Sequence, residues 1–239
     1  MGEAGDGVSR RRFLRGAGLG AVALTVAGAL PSRGAAAEAT APQNAISPQA
    51  ALDRLMEGNA RYAANRLDVK DFEAGRAARA QAQHPIATIL GCADSRVAAE
   101  LLFDQMPGDL FVLRIAGNYL NVGNLSSLEY GVAVLHTPLV MVLGHSQCGA
   151  IKAAIQDIQS PKPLPGHIWD ITDAVRPGIA SVVAAGGTGL LERAVDANVR
   201  YNVARVAAAQ PLIAEAVASG RVRVVGAQYE LANGKVRLL

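Results

Sequence analysis

The sequence predicts an α/β protein with a mainly parallel β-sheet flanked by helices. Three observations support this fold class. Short, continuous apolar segments alternate along the chain with longer helical ones, as in βαβ units whose strands are buried on both faces. Aromatic residues make up only 4% of the 239 residues, which is low for an aromatic-rich β-sandwich. Hydrophobic residues make up 51% and charged residues 18%, so the chain can bury a sizeable core and is not intrinsically disordered.

The first predicted element is a helix that opens at Ser47-Pro48, which are typical N-cap and first-turn residues. Leu52, Leu55 and Met56 lie on one face of this helix. A polar helix over about 71–82 follows. The next segments predict a buried strand over 85–90, a helix over 97–103, a strand over 110–115, a helix over 124–136 and a strand over 139–143.

The second half of the chain is mostly helical. It predicts a helix over 149–158, two Ala- and Val-rich helices over 167–184 and 189–209, a short helix between Pro211 and Gly220, and a last strand over 221–230. The sheet is expected to have a C-terminal edge strand. Asn233-Gly234 then forms a turn into the terminal residues. We see no internal repeat and no second core. The sequence therefore predicts a single domain over residues 38–239, in which 38–46 form a flexible arm.

Residues 1–37 have the layout of a signal peptide. The basic string Ser9-Arg10-Arg11-Arg12-Phe13-Leu14-Arg15 precedes an apolar run from Gly16 to Leu30, and cleavage after Ala37 would fit an A-x-A site. The basic string resembles the bacterial twin-arginine (Tat) export signal. The apolar run is shorter than the roughly 20 residues that span a bilayer, so we expect no stable membrane span after cleavage. We expect export by the Tat machinery to the periplasm or the outside of the cell, with a retained anchor as the alternative.

The net charge of +3 lies in this N-terminal segment. Without residues 1–37 the chain has equal numbers of basic and acidic residues. Binding to a nucleic acid depends on a basic surface that neutralises phosphates. We therefore expect no nucleic-acid partner.

The chain has two cysteines, Cys92 and Cys148, and each lies close to the end of a predicted strand. Cys92 follows one strand by two residues, and His145 follows another by two. The carboxyl ends of parallel strands meet at one edge of a sheet, so these side chains are expected to lie close together. Two thiolates and one imidazole suit Zn²⁺, and no third cysteine is present to close the site. Zn²⁺ with an open fourth position would hold a water molecule there and lower the pKa of that water, so that hydroxide forms near neutral pH.

Asp94 lies two residues after Cys92 and two before Arg96. An ion pair between Asp94 and Arg96 would orient the nucleophile at the metal. An unpaired Asp94 could instead bind the metal and close the site. The spacing leaves both possibilities open.

The segments C-A-D-S-R and H-S-Q-C-G resemble the β-class carbonic anhydrases, whose pattern is Cys-x-Asp-x-Arg followed by His-x-x-Cys. The resemblance covers about residues 47–235. It extends through Gln83-His84-Pro85, Gly108-Asp109-Leu110-Phe111-Val112-Leu113-Arg114, Ala116-Gly117-Asn118, Ser127-Leu128-Glu129-Tyr130 and Gly226-Ala227-Gln228-Tyr229.

The resemblance implies a β-carbonic-anhydrase-like fold and the reversible hydration of CO2 to bicarbonate and a proton by zinc-bound hydroxide. It implies one Zn²⁺ per chain on Cys92, His145 and Cys148. It also implies Asp94 and Arg96 as the catalytic pair, Gln83 and Gly149 as substrate-binding residues, and a homodimer or homotetramer.

Two other functions remain open at this point. Relatives of the same fold use the same zinc ligands to hydrolyse carbonyl sulfide or carbon disulfide, and the ligands alone do not separate these activities. The second alternative is a non-catalytic exported binding protein in which Cys92 and Cys148 form a disulfide.

Overall fold

The computed structural model of the chain describes residues 42–239. The predicted signal peptide over 1–37 lies outside the described residues, as does the start of the predicted arm. Residues 42–46 form a turn in which Ala45 N–H donates to the Pro42 carbonyl oxygen at 2.8 Å. Asn44 is buried, and its Nδ2 donates to the Leu135 carbonyl oxygen at 2.6 Å. This part of the predicted flexible arm is therefore anchored to the domain.

Five strands form one sheet in the order β2-β1-β3-β4-β5. The strands are β1 (Ala87–Gly91), β2 (Leu110–Arg114), β3 (Leu139–His145), β4 (Arg223–Tyr229) and β5 (Val236–Leu238). The first four strands are parallel and β5 is antiparallel to β4. The α/β fold class is thus confirmed. The predicted C-terminal edge strand is confirmed as β5, which returns antiparallel beside β4 after Asn233-Gly234.

The helices of the described part are α1 (Pro48–Ala63), α2 (Arg76–Gln81), α3 (Ala99–Leu102), α4 (Val122–Ala133), α5 (Gly149–Gln159), α6 (Ile168–Ala185), α7 (Leu190–Ala207) and α8 (Leu212–Ala218). Ser47 caps α1 as predicted, with its side chain accepting from Ala50 N–H at 3.1 Å. The helix predicted over 71–82 begins only at Arg76. The Asp71 carboxylate accepts from the N–H groups of Glu73 and Ala74, which forms a turn there instead. Among residues 42–239, no helix combines the length and the apolar character needed to cross a bilayer.

The side chains of β3 alternate between two faces of the sheet. Leu139, Met141 and Leu143 belong to a core cluster with residues of α1 and α3. Val140 and Val142 belong to a second cluster with residues of α4, α7 and α8. The sheet is therefore covered on both faces, which explains why β1 and β3 are completely buried.

A third core cluster lies between α5, α6 and α7, and it includes both cysteines. Cys92 follows β1 directly, and His145 is the last residue of β3 because it still pairs with Tyr229 of β4. Both therefore lie one or two positions closer to the strands than predicted. The predicted meeting of the two strand ends at one edge is confirmed, since Gly91 of β1 is in register with Leu143 of β3.

Helix α7 lies very close to β3 at Gly144, the residue before His145. A Cβ atom on Gly144 would lie 2.6 Å from Cγ2 of Val199 and 3.1 Å from Cγ1 of Val195. Both contacts are with β-branched side chains, which cannot turn away easily. Any side chain at this position would push α7 off the sheet.

We predict that Gly144→Ala destabilises the protein by about 1–3 kcal/mol because the added methyl overpacks this contact. The free energy of unfolding in urea measures the effect. Val199→Ala removes the methyl group that clashes, so the double variant Gly144→Ala/Val199→Ala should be more stable than the sum of the two single effects implies. Strictly additive effects would show that the close contact does not limit this position.

Candidate metal centre

Cys92, His145 and Cys148 form a compact group at the carboxyl edge of the sheet, called here the Cys-His-Cys cluster. The candidate ligand atoms all lie within 4.8 Å of one another. The three residues are buried, with relative exposures of 4%, 0% and 1%. Both thiols are free, so the alternative disulfide does not form. The structure brings together all three predicted ligands.

The imidazole of His145 is oriented for metal binding. Its Nδ1 lies 2.9 Å from the carbonyl oxygen of Ser146, which can only accept, so Nδ1 carries the proton. This leaves the Nε2 lone pair free. Nε2 is buried and has no hydrogen-bond partner among the described residues. A buried acceptor without a partner is costly, and a metal ion held jointly with two sulfurs would satisfy it. The donor set fits zinc.

The pKa values of the two thiols are shifted in opposite directions. The hydrogen bond with Cys148 lowers the pKa of Cys92, and the N–H of Gly117 acts in the same direction. The Gly117 nitrogen lies 3.4 Å from the Cys92 sulfur. The pKa of Cys148 is raised by the hydrogen bond with Cys92 and by burial. Of the two thiols, Cys92 is therefore the one that loses its proton more readily, and metal binding requires both to be deprotonated.

Asp94 pairs with Arg96 rather than turning toward the cluster. Arg96 Nε donates to Oδ1 at 2.8 Å and Nη2 donates to Oδ2 at 2.7 Å. These hydrogen bonds hold the pKa of the Asp94 carboxyl well below its usual range. Asp94 Oδ2 still lies 3.9 Å from Nε2 of His145. The arrangement is the paired one of the two that the sequence left open, with the carboxylate at the margin of the cluster.

Arg114 fixes the loop that carries Cys92 and Asp94. Its Nε donates to the Cys92 carbonyl oxygen at 3.0 Å and its Nη2 donates to the Asp94 carbonyl oxygen at 2.7 Å. The sequence analysis gave Arg114 no role at the site. Its position at the end of β2, the strand beside β1, is the signal that could have indicated one.

Two buried asparagines on α7 also support the site, and neither was predicted from the sequence. Asn198 Nδ2 donates to the carbonyl oxygen of Gly117 at 2.9 Å, and Asn202 Oδ1 accepts from the N–H of Leu120 at 2.8 Å. They hold the loop whose Gly117 N–H faces the Cys92 sulfur. Buried asparagines four residues apart in an otherwise Ala- and Val-rich helix are the sequence signal for such a role.

The structure separates the two predicted substrate-binding residues. Gly149 is the first residue of α5, directly after Cys148. Apart from its chain neighbours and the backbone of its own helix, no atom of the described residues lies within 4 Å of the position a Cβ would take there. Gln83 is exposed and precedes β1, whereas Cys92 follows it. A five-residue strand spans roughly 16 Å. Gln83 lines a cavity of about 1310 Å³ that includes none of the Cys-His-Cys cluster.

Comparison with known proteins agrees with this geometry. A family model described as carbonic anhydrase matches residues 87–236. A carbonic anhydrase of Mycolicibacterium smegmatis is 41% identical over 193 residues, which cover 80% of this chain and 93% of the relative. A β-carbonic anhydrase of Coccomyxa, solved in complex with acetazolamide, has a TM-score of 0.62 and 30% identity, covering 80% of this chain and 82% of that one. The chain belongs to the β-class carbonic anhydrase family.

The family membership confirms the resemblance on which the sequence analysis relied. The fold also matches tetrameric β-carbonic anhydrases of Sordaria macrospora, with a TM-score of 0.61, 25% identity and coverage of 80% of this chain and 95% of that one. The zinc chemistry of this family suits the donor set of the Cys-His-Cys cluster.

Proposed function

We propose that this chain catalyses the reversible hydration of CO2 to bicarbonate and a proton, with one Zn²⁺ bound by the Cys-His-Cys cluster. The observation that supports the proposal most directly is the buried Nε2 of His145, which has no partner among the described residues and faces two free thiols. The named relatives support the same activity.

Each residue around the cluster then has a defined task. Zinc bound there would lower the pKa of a coordinated water and make hydroxide available near neutral pH. Asp94, kept ionised by Arg96, can only accept hydrogen bonds and would therefore orient the nucleophile by accepting a hydrogen bond from it. Gly149 leaves open space beside Cys148, and its N–H in the first turn of α5 is free to donate to a substrate oxygen.

We predict that Asp94→Asn retains zinc but loses CO2 hydration by about 100-fold or more. An amide has one acceptor oxygen where the carboxylate has two, so its NH2 group must face either the donors of Arg96 or the nucleophile. Stopped-flow CO2 hydration near pH 7.5 on zinc-loaded protein measures this, and Cys148→Ser should lose both metal and activity. Asp157→Asn is the matched control, since Asp157 pairs with Arg176 away from the cluster. Full activity of Asp94→Asn would remove Asp94 from the mechanism. Turnover of carbonyl sulfide without turnover of CO2 would favour the hydrolase alternative.

The proposed enzyme is a homodimer or a homotetramer. The distance between Gln83 and the cluster of its own chain supports this, because a Gln83 that contacts substrate must then reach the site of another subunit. The tetrameric relatives of Sordaria macrospora agree with such an assembly.

Mixed oligomers test the subunit proposal. Gln83→Ala and Cys148→Ser should each be nearly inactive alone. In a mixed dimer, the intact metal site of the Gln83→Ala chain receives Gln83 from the Cys148→Ser chain, so about half of the wild-type activity should return. Two affinity tags isolate the mixed dimer after coexpression. No recovery of activity would show that Gln83 acts within its own chain or not at all.

The proposal extends to export of the folded protein by the Tat machinery, to the periplasm or the outside of the cell. It rests on the string from Ser9 to Arg15 and on the apolar run that follows. Residues 1–37 would serve as the signal peptide and 38–239 as the single mature domain. Metal loaded before export would protect the two thiols from oxidation.

We expect Arg10→Lys/Arg11→Lys to retain the protein in the cytoplasm, because the Tat machinery recognises the arginine pair. Cell fractionation with activity assays on each fraction measures this. The matched control is Arg33→Lys, which changes a basic residue of the same segment outside the pair. Unchanged export of the double variant would show that the signal is of another kind.

A further inference from the structure

We infer that Glu230 is a positioning residue for the metal centre and acts on His145 through Ser146. The inference rests on the proposed metal-binding role of His145. Glu230 lies at the end of β4, 84 positions after Ser146 along the chain. Nothing in the motifs around Cys92 and His145 indicates a contribution from this residue.

The first step is the contact between the two side chains. Ser146 Oγ donates to Glu230 Oε1 at 2.7 Å. The same Oγ accepts from the N–H of Leu231 at 3.0 Å. The Ser146 hydroxyl thus has a donor on one side and a carboxylate on the other, and the residue is only 9% exposed. A hydrogen bond to an ionised carboxylate is stronger than one between neutral groups.

The second step leads from Ser146 to the imidazole. The Ser146 N–H donates to the Tyr229 carbonyl oxygen at 2.9 Å, and the Ser146 carbonyl oxygen accepts from His145 Nδ1 at 2.9 Å. The backbone and the side chain of Ser146 are therefore both bound to the segment 229–231. This fixes the carbonyl group that sets the tautomer and the ring orientation of His145.

The third step is the support of Glu230 itself. Its N–H donates to the Lys235 carbonyl oxygen at 2.8 Å, and its own carbonyl oxygen accepts from Gly234 N–H at 2.9 Å. Its Oε1 also accepts from the N–H of Ala232 at 3.2 Å. The turn between β4 and β5 thus holds the carboxylate in place. The contacts lead from this turn through Ser146 to Nδ1 of His145, across the imidazole ring from the Nε2 atom that faces the two cysteines.

The chain offers a control for the stability of this hairpin. Arg237 on β5 forms an ion pair with Asp196 on α7, with Nη2 and Oδ2 2.6 Å apart. This pair also attaches the hairpin to the domain, but neither residue contacts Ser146 or the cluster in the described contacts. Asp196→Ala therefore weakens the attachment of the hairpin and leaves the path to His145 intact.

The test measures the affinity for Zn²⁺ by competition with a chelator, on full-length protein. Partners that orient a metal ligand typically contribute 10–100-fold to metal affinity, so we expect a loss of about 10-fold or more for Glu230→Ala and for Ser146→Ala. The double variant should lose no more than Ser146→Ala, because both changes break one path. Glu230→Gln keeps an acceptor oxygen and should remain within about threefold of the wild type. Asp196→Ala should lower the melting temperature without changing the affinity.

Cobalt provides a second readout that does not depend on activity. The visible absorption of the Co²⁺-loaded protein reports the geometry of the ligands, so it should shift in Glu230→Ala and not in Asp196→Ala. The inference is overturned if Glu230→Ala binds Zn²⁺ like the wild type, or if Asp196→Ala loses affinity equally. Failure of the wild type itself to bind Zn²⁺ would overturn both the proposed function and this inference, whereas a wild type that binds zinc leaves only Glu230 in question.

Discussion

The parallel pairing of β1 with β3 is the constraint on which the rest of the site depends. It brings Cys92 and His145, which are far apart in sequence, to the same edge of the sheet. The helix that begins after Cys148 then places the third ligand. The close contact between Gly144 and α7 fixes how closely β3 packs against this helix. A change in register between the strands would separate the ligands, since side chains alternate between faces along each strand.

Burial limits the ways in which the polar groups of the Cys-His-Cys cluster can be satisfied. Two buried thiols and a buried imidazole cannot all be uncharged and also have hydrogen-bond partners for every polar atom. The Nε2 atom of His145, which has no partner among the described residues, shows this directly. Asp94 is different because the guanidinium of the exposed Arg96 satisfies both of its oxygens. The site therefore combines three buried candidate ligands with a carboxylate that is kept ionised at the margin of the cluster. That division suits an enzyme that must bind a metal firmly and still exchange a small substrate.

The sequence predicted the sheet and the proximity of the three candidate ligands well because both depend on local patterns. Buried strands such as β1 and β3 are continuous apolar runs, and the spacing of His145 and Cys148 is short. The errors have equally local causes, since Asp71 forms a turn where helical periodicity predicted a helix. The contacts of Arg114, Asn198 and Glu230 could not be found in this way, even where the position of the residue was suggestive. Their partners are backbone groups or side chains twenty or more positions away, and only the folded chain shows which of them meet.

The contact between Ser146 and Glu230 also sets an order of events during biosynthesis. When His145 leaves the ribosome, the residues that fix its neighbour have not yet been made, because they follow 84 positions later. Strand β4, which pairs with β3 up to His145, is equally late. A nascent chain can therefore present the two cysteines well before the histidine is oriented. A chain that ends before β4 would contain all three candidate ligands, without the strand that pairs with His145 or the carboxylate that holds Ser146.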